Sequence, residues 1–178
     1  MKVLITGGAG YIGTQLIYKM SDAPEISEVV IYDNLSRSNF NLFLGRRKLD
    51  HQKIKFIKGD LLDSRKLGRY VEKADIVIHL AAKVSTPFAD RNPHGFDQVN
   101  NWGTSELVRL VEDSSVKKFI YASSLSVYGS SEDSLNIQST LAPKTFYGIS
   151  KKNGESHVAR LLEKEMSTYI LRLGNVYG

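Results

Sequence analysis

The fold is decided at Thr6-Gly7-Gly8-Ala9-Gly10-Tyr11-Ile12-Gly13, which joins an apolar run at 2–6 to a helical pattern at 12–20. Its glycines at 7, 10 and 13 overlap with a second Gly-x-Gly-x-x-Gly pattern that begins at Gly8. Glycines in such a loop permit a tight turn, a close approach to a pyrophosphate, and packing of a helix on a strand. The helix N-terminus also favours phosphate through its free amides and dipole. A plain turn is the alternative, and the position between strand and helix favours a dinucleotide-binding loop.

Short apolar runs rich in Val and Ile recur along the chain, and helical patterns separate them. The runs lie at 2–6, 28–32, 54–57, 75–81, 117–122 and 168–173, and the helical patterns at 12–20, 63–73, 94–113 and 147–165. Such runs are typical of strands buried on both faces, and their alternation with helices predicts βαβ units. The sequence therefore predicts one α/β domain over 1–178, a doubly wound parallel sheet of the Rossmann type in a three-layer α/β/α sandwich. The aperiodic segments 33–46 and 124–145 follow strand ends, where ligands bind in such sheets.

Composition narrows the class of protein. The 178 residues are 42% apolar and 24% charged, which is typical of a globular domain. The absence of cysteine excludes a disulfide framework and a thiolate nucleophile, and no metal site is expected. The 24 basic residues against 19 acidic ones are dispersed, so nucleic acid is not an expected partner. With no secretion signal and no apolar run of about 18 residues, we expect a soluble, cytoplasmic protein without a membrane partner.

An acidic residue follows the second apolar run. Asp33 lies 20 residues beyond Gly13, the spacing expected of a carboxylate that binds the adenosine ribose hydroxyls. A carboxylate there repels a 2′-phosphate, so the sequence favours NAD over NADP. Arg37 is close enough to Asp33 to leave NADP as the alternative.

Three side chains have the residue types needed for proton transfer. Tyr147 and Lys151 stand four residues apart at the start of a predicted helix, so they share one face. A neighbouring ammonium and a positively charged nicotinamide would favour the Tyr147 phenolate, which could then exchange a proton with a substrate hydroxyl. Ser124 follows the fifth predicted strand, at the same edge as the glycine loop, and could donate a hydrogen bond to the substrate oxygen. A Tyr-x-x-x-Lys spacing also arises by chance, and Ser124 favours the catalytic interpretation.

Together these residues resemble the extended short-chain dehydrogenases/reductases, the NAD-dependent epimerases and dehydratases, over essentially the whole chain. The matching elements are Gly7-x-x-Gly10-x-x-Gly13, Asp33-Asn34-Leu35, Gly59-Asp60-Leu61, His79-Leu80-Ala81-Ala82, Asn100-Asn101-Trp102-Gly103-Thr104, Ser123-Ser124 through Val127-Tyr128-Gly129, Tyr147 to Lys151, and Leu171-Arg172-Leu173-Gly174-Asn175-Val176-Tyr177-Gly178.

The resemblance implies roles for individual residues. NAD would be bound by Gly7, Gly10, Tyr11, Ile12, Gly13, Asp33, Asn34, Asp60, Leu61, Ala81, Ala82, Lys83, Asn100, Tyr147 and Lys151, with Asp60 and Leu61 beside the adenine. Ser124, Tyr147 and Lys151 would be catalytic, and Ser124 and Asn175 would face the substrate. Simpler interpretations remain open: His79 and Asp60 could end strands, Trp102 could pack in the core, and Asn100 could satisfy buried backbone groups.

The residues after Ser124 discriminate among reactions in the family. The 4,6-dehydratases carry acidic residues there, whereas this chain has Leu125 and Ser126, which disfavours dehydratase and decarboxylase activity. Ser-Ser-x-x-Val-Tyr-Gly resembles the UDP-glucose 4-epimerases, which implies transient oxidation of a nucleotide-sugar at C4. A reductase or dehydrogenase of the same family, a non-catalytic dinucleotide-binding module and an RNA-binding relative are the alternatives. The family's C-terminal substrate domain is absent from this chain, so unaided turnover is not expected. Dimers are common in the family, which leaves a homodimer open.

Overall fold

The computed structural model describes residues 1–45, 47, 49–84, 92–130 and 134–176. Six parallel strands form one sheet in the order β3-β2-β1-β4-β5-β6. Their bounds are β1 (Lys2–Thr6), β2 (Glu28–Asp33), β3 (Ile54–Lys58), β4 (Ile76–His79), β5 (Lys118–Ser124) and β6 (Ser167–Leu173). The chain winds outward from β1 to β3 and then continues on the other side of β1 with β4. This reversal opens a crevice between the carboxyl ends of β1 and β4, and it confirms the predicted doubly wound Rossmann fold.

The predicted helices are present, with different ends. Their bounds are α1 (Tyr11–Asp22), α2 (Asn41–Leu44), α3 (Ser64–Val71), α4 (Pro93–Phe96), α5 (Gly103–Glu112) and α6 (Phe146–Val158). A π-helical segment, Asp97–Trp102, joins α4 to α5, and short 3₁₀ helices lie at Leu125–Tyr128 and Ala159–Glu163. The pattern at 94–113 is therefore one helical segment with a wider turn in its middle. None of the helices in the described ranges is long and apolar enough to cross a membrane.

The core lies on both faces of the sheet. Leu4 of β1 packs with residues of α3, α5 and α6, such as Leu67 and Leu107. Val3 and Ile5, its neighbours in β1, pack on the opposite face with residues of α1 and α2. Because successive strand residues point to opposite faces, apolar residues at every position require helices on both sides. This arrangement confirms the three-layer α/β/α sandwich.

Two local expectations were wrong. Trp102 was expected in the core, but its side chain is 62% exposed. The π-helical turn brings Asn100 and Thr104 to the buried side, which leaves Trp102 facing outward. The fourth strand was expected to continue to residue 81, but β4 ends at His79. The Leu80 amide still donates to the Thr6 carbonyl at 2.9 Å, and the backbone of Leu80 and Ala81 then runs against Gly7 of the glycine loop.

Candidate active site

A cleft of about 1340 Å³ lies along the carboxyl ends of the strands. Among the side chains and backbone segments that line it are Gly7, Gly10, Tyr11, Ile12, Gly13, Asp33, Asn34, Asp60, Leu61, Ala81, Ala82, Lys83, Ser124, Tyr147, Lys151 and Asn175. The structure thus brings together nearly all residues that the sequence indicated. Asn100 does not line the cleft, and Tyr177 and Gly178, the last residues of the matching C-terminal motif, lie outside the described residues.

The glycine loop is shaped by close backbone contacts. Gly7 has φ +71°, and a Cβ there would lie 2.4 Å from the Cα of Ala81. A Cβ on Gly13 would lie 2.3 Å from the carbonyl oxygen of Gly8. Gly10 is different, because the nearest atom to a Cβ there is 3.3 Å away. Gly7 and Gly13 therefore fold the loop tightly, and Gly10, the N-cap of α1, leaves room where a phosphate would approach the helix.

Two carboxylates face the cleft from β2 and from the turn after β3. Asp33 accepts hydrogen bonds from the amides of Ala9 (3.0 Å) and Leu35 (2.8 Å). Asp60 accepts from the Leu62 amide and from the Asn34 side chain, each at 2.9 Å. Asp33 is thereby tied to the glycine loop, and each of its oxygens retains a lone pair for a further donor. A narrow glycine cradle beside a fixed carboxylate fits a pyrophosphate and a ribose diol, so the residues present fit a dinucleotide.

Ser124, Tyr147 and Lys151 meet at the opposite half of the cleft. Ser124 ends β5, and the Ser126 amide and hydroxyl donate to its Oγ at 3.2 and 2.9 Å. With both lone pairs of Ser124 taken, its hydroxyl interacts further as a donor. Thr145 caps α6 by accepting from the Gly148 amide at 3.0 Å, which starts the helix so that Tyr147 lies in its first turn.

Burial dominates the electrostatics of this group. It lowers the pKa of Lys151 to about 7, an effect that the negative charge of Glu155 opposes. The Lys151 Nζ atom lies 4.4 Å from the centroid of the Tyr121 ring, a cation–π contact. Burial also raises the pKa of Tyr147, and hydrogen bonding with the Ser124 side chain opposes that rise. The expected ammonium effect on Tyr147 therefore does not prevail without the cofactor, because the phenol itself is removed from water.

Asn100 supports the wall of the cleft from behind. Its side chain accepts from the Lys83 amide at 2.8 Å and donates to the Lys83 carbonyl and to Ser150 Oγ, both at 2.9 Å. These bonds satisfy the amide and carbonyl of Lys83 and tie the chain after β4 to α6. A direct contact of Asn100 with the cofactor stays a prediction.

His79 ends β4 as a buried structural residue. Its Nδ1 is 2.7 Å from Thr6 Oγ1 and its Nε2 is 3.0 Å from Thr104 Oγ1. Thr104 donates its own proton to the Asn100 carbonyl, so it accepts from His79 Nε2. Burial lowers the pKa of His79 to about 3, which makes the ring neutral. The imidazole therefore serves as a hydrogen-bonded core residue at the strand end.

Sequence reasoning missed a polar cluster behind the catalytic group. Glu155 and Arg172 form an ion pair at 2.8 Å, and Arg172 also donates to the Tyr128 hydroxyl at 2.6 Å. Ser123 donates to the Glu155 carboxylate. One signal was available, since Glu155 lies four residues after Lys151 and therefore on the same helical face.

Fold and site together define a dinucleotide-binding protein of the short-chain dehydrogenase/reductase type. Residues 3–178 match the NAD dependent epimerase/dehydratase family, and the chain belongs to that family. It is 36% identical over 184 residues to the mouse (Mus musculus) protein dTDP-D-glucose 4,6-dehydratase. This match covers 99% of this chain and 51% of the mouse protein. The chain thus spans about half the length of the curated relatives it matches.

Solved structures of related proteins also match nearly the whole of this chain and about half of their own length. The UDP-N-acetylglucosamine 4-epimerase from Methanobrevibacter ruminantium M1 superposes with a TM-score of 0.89 and 29% identity, covering 99% of this chain and 56% of that one. The Bordetella bronchiseptica enzyme WbmG in complex with NAD has a TM-score of 0.83 and 28% identity, over 100% and 54%. NAD is the cofactor of this family, which confirms the choice of cofactor made from the sequence.

Replacing Asp33 by Asn is expected to weaken NAD binding about tenfold and to narrow the preference for NAD over NADP. The substitution keeps the shape of the side chain, but it removes the charge that repels a 2′-phosphate and weakens the bonds to Ala9 and Leu35. Calorimetric titration with both cofactors measures the two effects. Asp50→Asn, an exposed carboxylate outside the cleft, is the matched control. Unchanged affinities in Asp33→Asn, or a wild-type preference for NADP, would contradict the assignment.

Proposed function

We propose that this protein is an NAD-dependent 4-epimerase of nucleotide-sugars, of the UDP-glucose/UDP-galactose type. The observation that carries the proposal is the chemistry of the cleft beside Ser124. Elimination of water from C5 and C6 needs an acid and a base in addition to the residue that exchanges the C4 hydroxyl proton, whereas inversion at C4 needs only that residue. Leu125 and Ser126 follow Ser124, and the carboxylates that line the cleft in the described ranges are Asp33 and Asp60.

The position of those two carboxylates supports the argument. Asp33 ends β2 and Asp60 follows β3, while Ser124 ends β5 on the other side of β1 and β4. Their hydrogen bonds tie them to the glycine loop and to Asn34. Neither is placed to move a proton at a sugar bound beside Tyr147. The site is therefore suited to proton exchange at one oxygen and unsuited to dehydration.

Each residue of the catalytic group has a defined task in the proposed reaction. Bound NAD supplies the reversible two-electron oxidation of the C4 carbinol. Tyr147 accepts the proton of the C4 hydroxyl as that carbon becomes a ketone, and it returns the proton after the sugar presents its other face. Ser124 donates a hydrogen bond to the same oxygen throughout. Lys151 favours the Tyr147 phenolate when it carries its positive charge.

A 4,6-dehydratase is the second candidate, because a dehydratase is 36% identical over nearly the whole chain. Identity over the whole chain reflects fold and cofactor binding as much as reaction type. The two residues after Ser124 are the more direct guide to the reaction, since they line the cleft next to Ser124.

Product mass separates the candidates. The protein, with all the sequence that its gene encodes, is incubated with NAD and UDP-glucose, UDP-galactose or dTDP-glucose, and products are analysed by mass spectrometry and proton NMR. We expect a product of unchanged mass and inverted C4 configuration, with NAD recovered intact from the denatured protein. A product lighter by one water would instead establish dehydration. A change of two hydrogens with stoichiometric use of cofactor would establish a dehydrogenase or reductase. NAD binding without conversion of any sugar would favour a non-catalytic module.

A further inference from the structure

An ion pair between a buried carboxylate and a partly buried guanidinium lies directly behind the catalytic group. Glu155 is 5% exposed, and the Arg172 guanidinium donates to both of its carboxylate oxygens, from Nη2 at 2.8 Å and from Nε at 3.0 and 3.2 Å. Ser123 donates to Oε1 as well. Burying the Glu155 carboxylate is costly even with a partner, and apolar residues of similar size often stabilise a fold equally well. Stability alone therefore gives little reason for this pair.

The pair is placed on the elements that carry the catalytic residues. Tyr147, Lys151 and Glu155 follow one another at intervals of four residues, so they lie along one face of α6. Ser123, which binds the Glu155 carboxylate, precedes Ser124 in β5. Glu155 thus connects the helix of Tyr147 and Lys151 to the strand of Ser124.

Arg172 extends this connection to the turn after β5. Its Nη1 atom donates to the Tyr128 hydroxyl, and its guanidinium carbon lies 4.9 Å from the centroid of the Tyr128 ring. Tyr128 ends the 3₁₀ helix in which Ser126 donates to Ser124. One guanidinium therefore orients both Glu155 and the turn that holds Ser124.

The charges around Lys151 single out Glu155. On the same helix Lys151 shares a face with Tyr147 and Glu155, and from the sheet Tyr121 of β5 and neutral His79 of β4 lie near it. Arg172 of β6 contacts Glu155. Burial lowers the pKa of Lys151, and Glu155 supplies the negative charge that opposes this effect. The carboxylates that line the cleft, Asp33 and Asp60, lie beside β2 and β3.

We propose that Glu155 is a positioning residue whose fixed negative charge favours the ammonium form of Lys151 beside Tyr147, with Arg172 and Ser123 fixing Glu155 for that task. The inference rests on the proposed function only in one respect, that the Lys151 ammonium favours the Tyr147 phenolate during the reaction. It assigns the ion pair to the control of the catalytic lysine instead of to general stability.

The test follows the protonation of Lys151 itself. The protein is labelled with ¹³C at the lysine Cε, the Lys151 signal is assigned by its loss in Lys151→Met, and its shift is followed against pH with and without saturating NAD. In Glu155→Gln we expect the titration midpoint to fall by about one pH unit. Glu112→Gln, which removes a carboxylate from the Glu112–Arg160 bridge elsewhere on the molecule, is the matched control and leaves the midpoint unchanged.

The sign of the shift separates this role from a purely structural one. If Glu155 only packed α6 in place, its replacement would loosen the site, admit water to Lys151 and raise the midpoint. A midpoint that rises or stays unchanged in Glu155→Gln therefore overturns the proposal.

Glu155→Gln leaves the partly buried Arg172 without its carboxylate partner, so a second variant guards against a failure to fold. Glu155→Gln/Arg172→Met leaves no unpaired charge, and we expect its midpoint to fall by less than in the single variant; no fall overturns the proposal. The titration uses no sugar nucleotide. A protein that shows the shift but does not epimerise any sugar nucleotide would overturn the proposed function and leave this inference standing. A protein that epimerises but shows no fall in the midpoint would overturn this inference and leave the proposed function standing.

Discussion

Replacing Tyr147 by Phe is expected to lower turnover by about 10²–10⁴-fold, the range typical of a lost general acid or base. Phe retains the ring and its edge contact with Phe96, whose ring centroid lies 6.4 Å away. Only the hydroxyl that exchanges the C4 proton is removed, so α6 and the cofactor half of the cleft keep their shape. NAD affinity should therefore change by no more than a few-fold.

The measurement compares turnover per NAD-loaded site in the wild type and in Tyr147→Phe, together with NAD affinity by titration. Tyr169→Phe, which removes an exposed hydroxyl from β6, is the control and should behave as wild type. Unchanged turnover in Tyr147→Phe would reject the proposed mechanism. A loss of turnover accompanied by an equal loss of NAD binding would assign Tyr147 to the cofactor instead of to the reacting oxygen.

The fold was predictable because its strands are buried on both faces. A run such as Val3-Leu4-Ile5 has no polar position, and the structure covers both its sides with helices. The hydrophobic pattern did not predict the residue at which β4 ends. Leu80 and Ala81 are as apolar as the strand, but the strand ends where their backbone passes close to Gly7. That contact joins segments more than 70 residues apart.

Helical periodicity failed at Trp102 for a related reason. In an unbroken helix with 3.6 residues per turn, we expected Trp102 to lie on the buried face. The π-helical turn at Asp97–Trp102 changes the direction in which these side chains point. Asn100, which a hydrophobic pattern would leave outside, is brought into the core with hydrogen-bond partners on Lys83 and Ser150.

Motifs located the candidate site, but they did not give its electrostatics. Ser124, Tyr147 and Lys151 were identified from residue type and spacing, and the structure brings them to one cleft. The shifts of their pKa values depend on how much water each group loses, which spacing does not reveal. Arg172 is 17 residues from Glu155 and 44 from Tyr128, so its contacts with both arise only when β6 pairs with β5.

Replacing Lys151 by Met is expected to stabilise the NAD-free protein at pH 7 by an amount of the order of several kcal/mol. Lys151 is buried, and its pKa falls from 10.5 to about 7 on folding. Between those two values the unfolded chain still holds the lysine proton and the folded chain has released it. The free energy of unfolding of the wild type therefore rises with pH across this window, by at most about 1.4 kcal/mol per pH unit. Met, which has no charge to desolvate, removes that dependence.

Urea denaturation at pH 7 and at pH 9.5 measures the effect, and the advantage of Lys151→Met should shrink as pH rises. In the folded chain Tyr32 and Tyr147, whose pKa values burial raises above the usual 10, keep their protons at both pH values, and the chain has no cysteine. Lys19→Met, at an exposed position on α1, is the control and should keep the wild-type dependence on pH. Parallel pH dependence in wild type and Lys151→Met would show that Lys151 is not desolvated.

The same substitution should abolish turnover, because it removes the charge that favours the Tyr147 phenolate. A gain in stability together with a loss of activity would show that Lys151 is retained for its chemistry at a cost in stability. Loss of both stability and activity would place Lys151 among the structural residues. It would also remove the reason for a carboxylate at Glu155, so this one variant bears on the catalytic group and on the ion pair behind it.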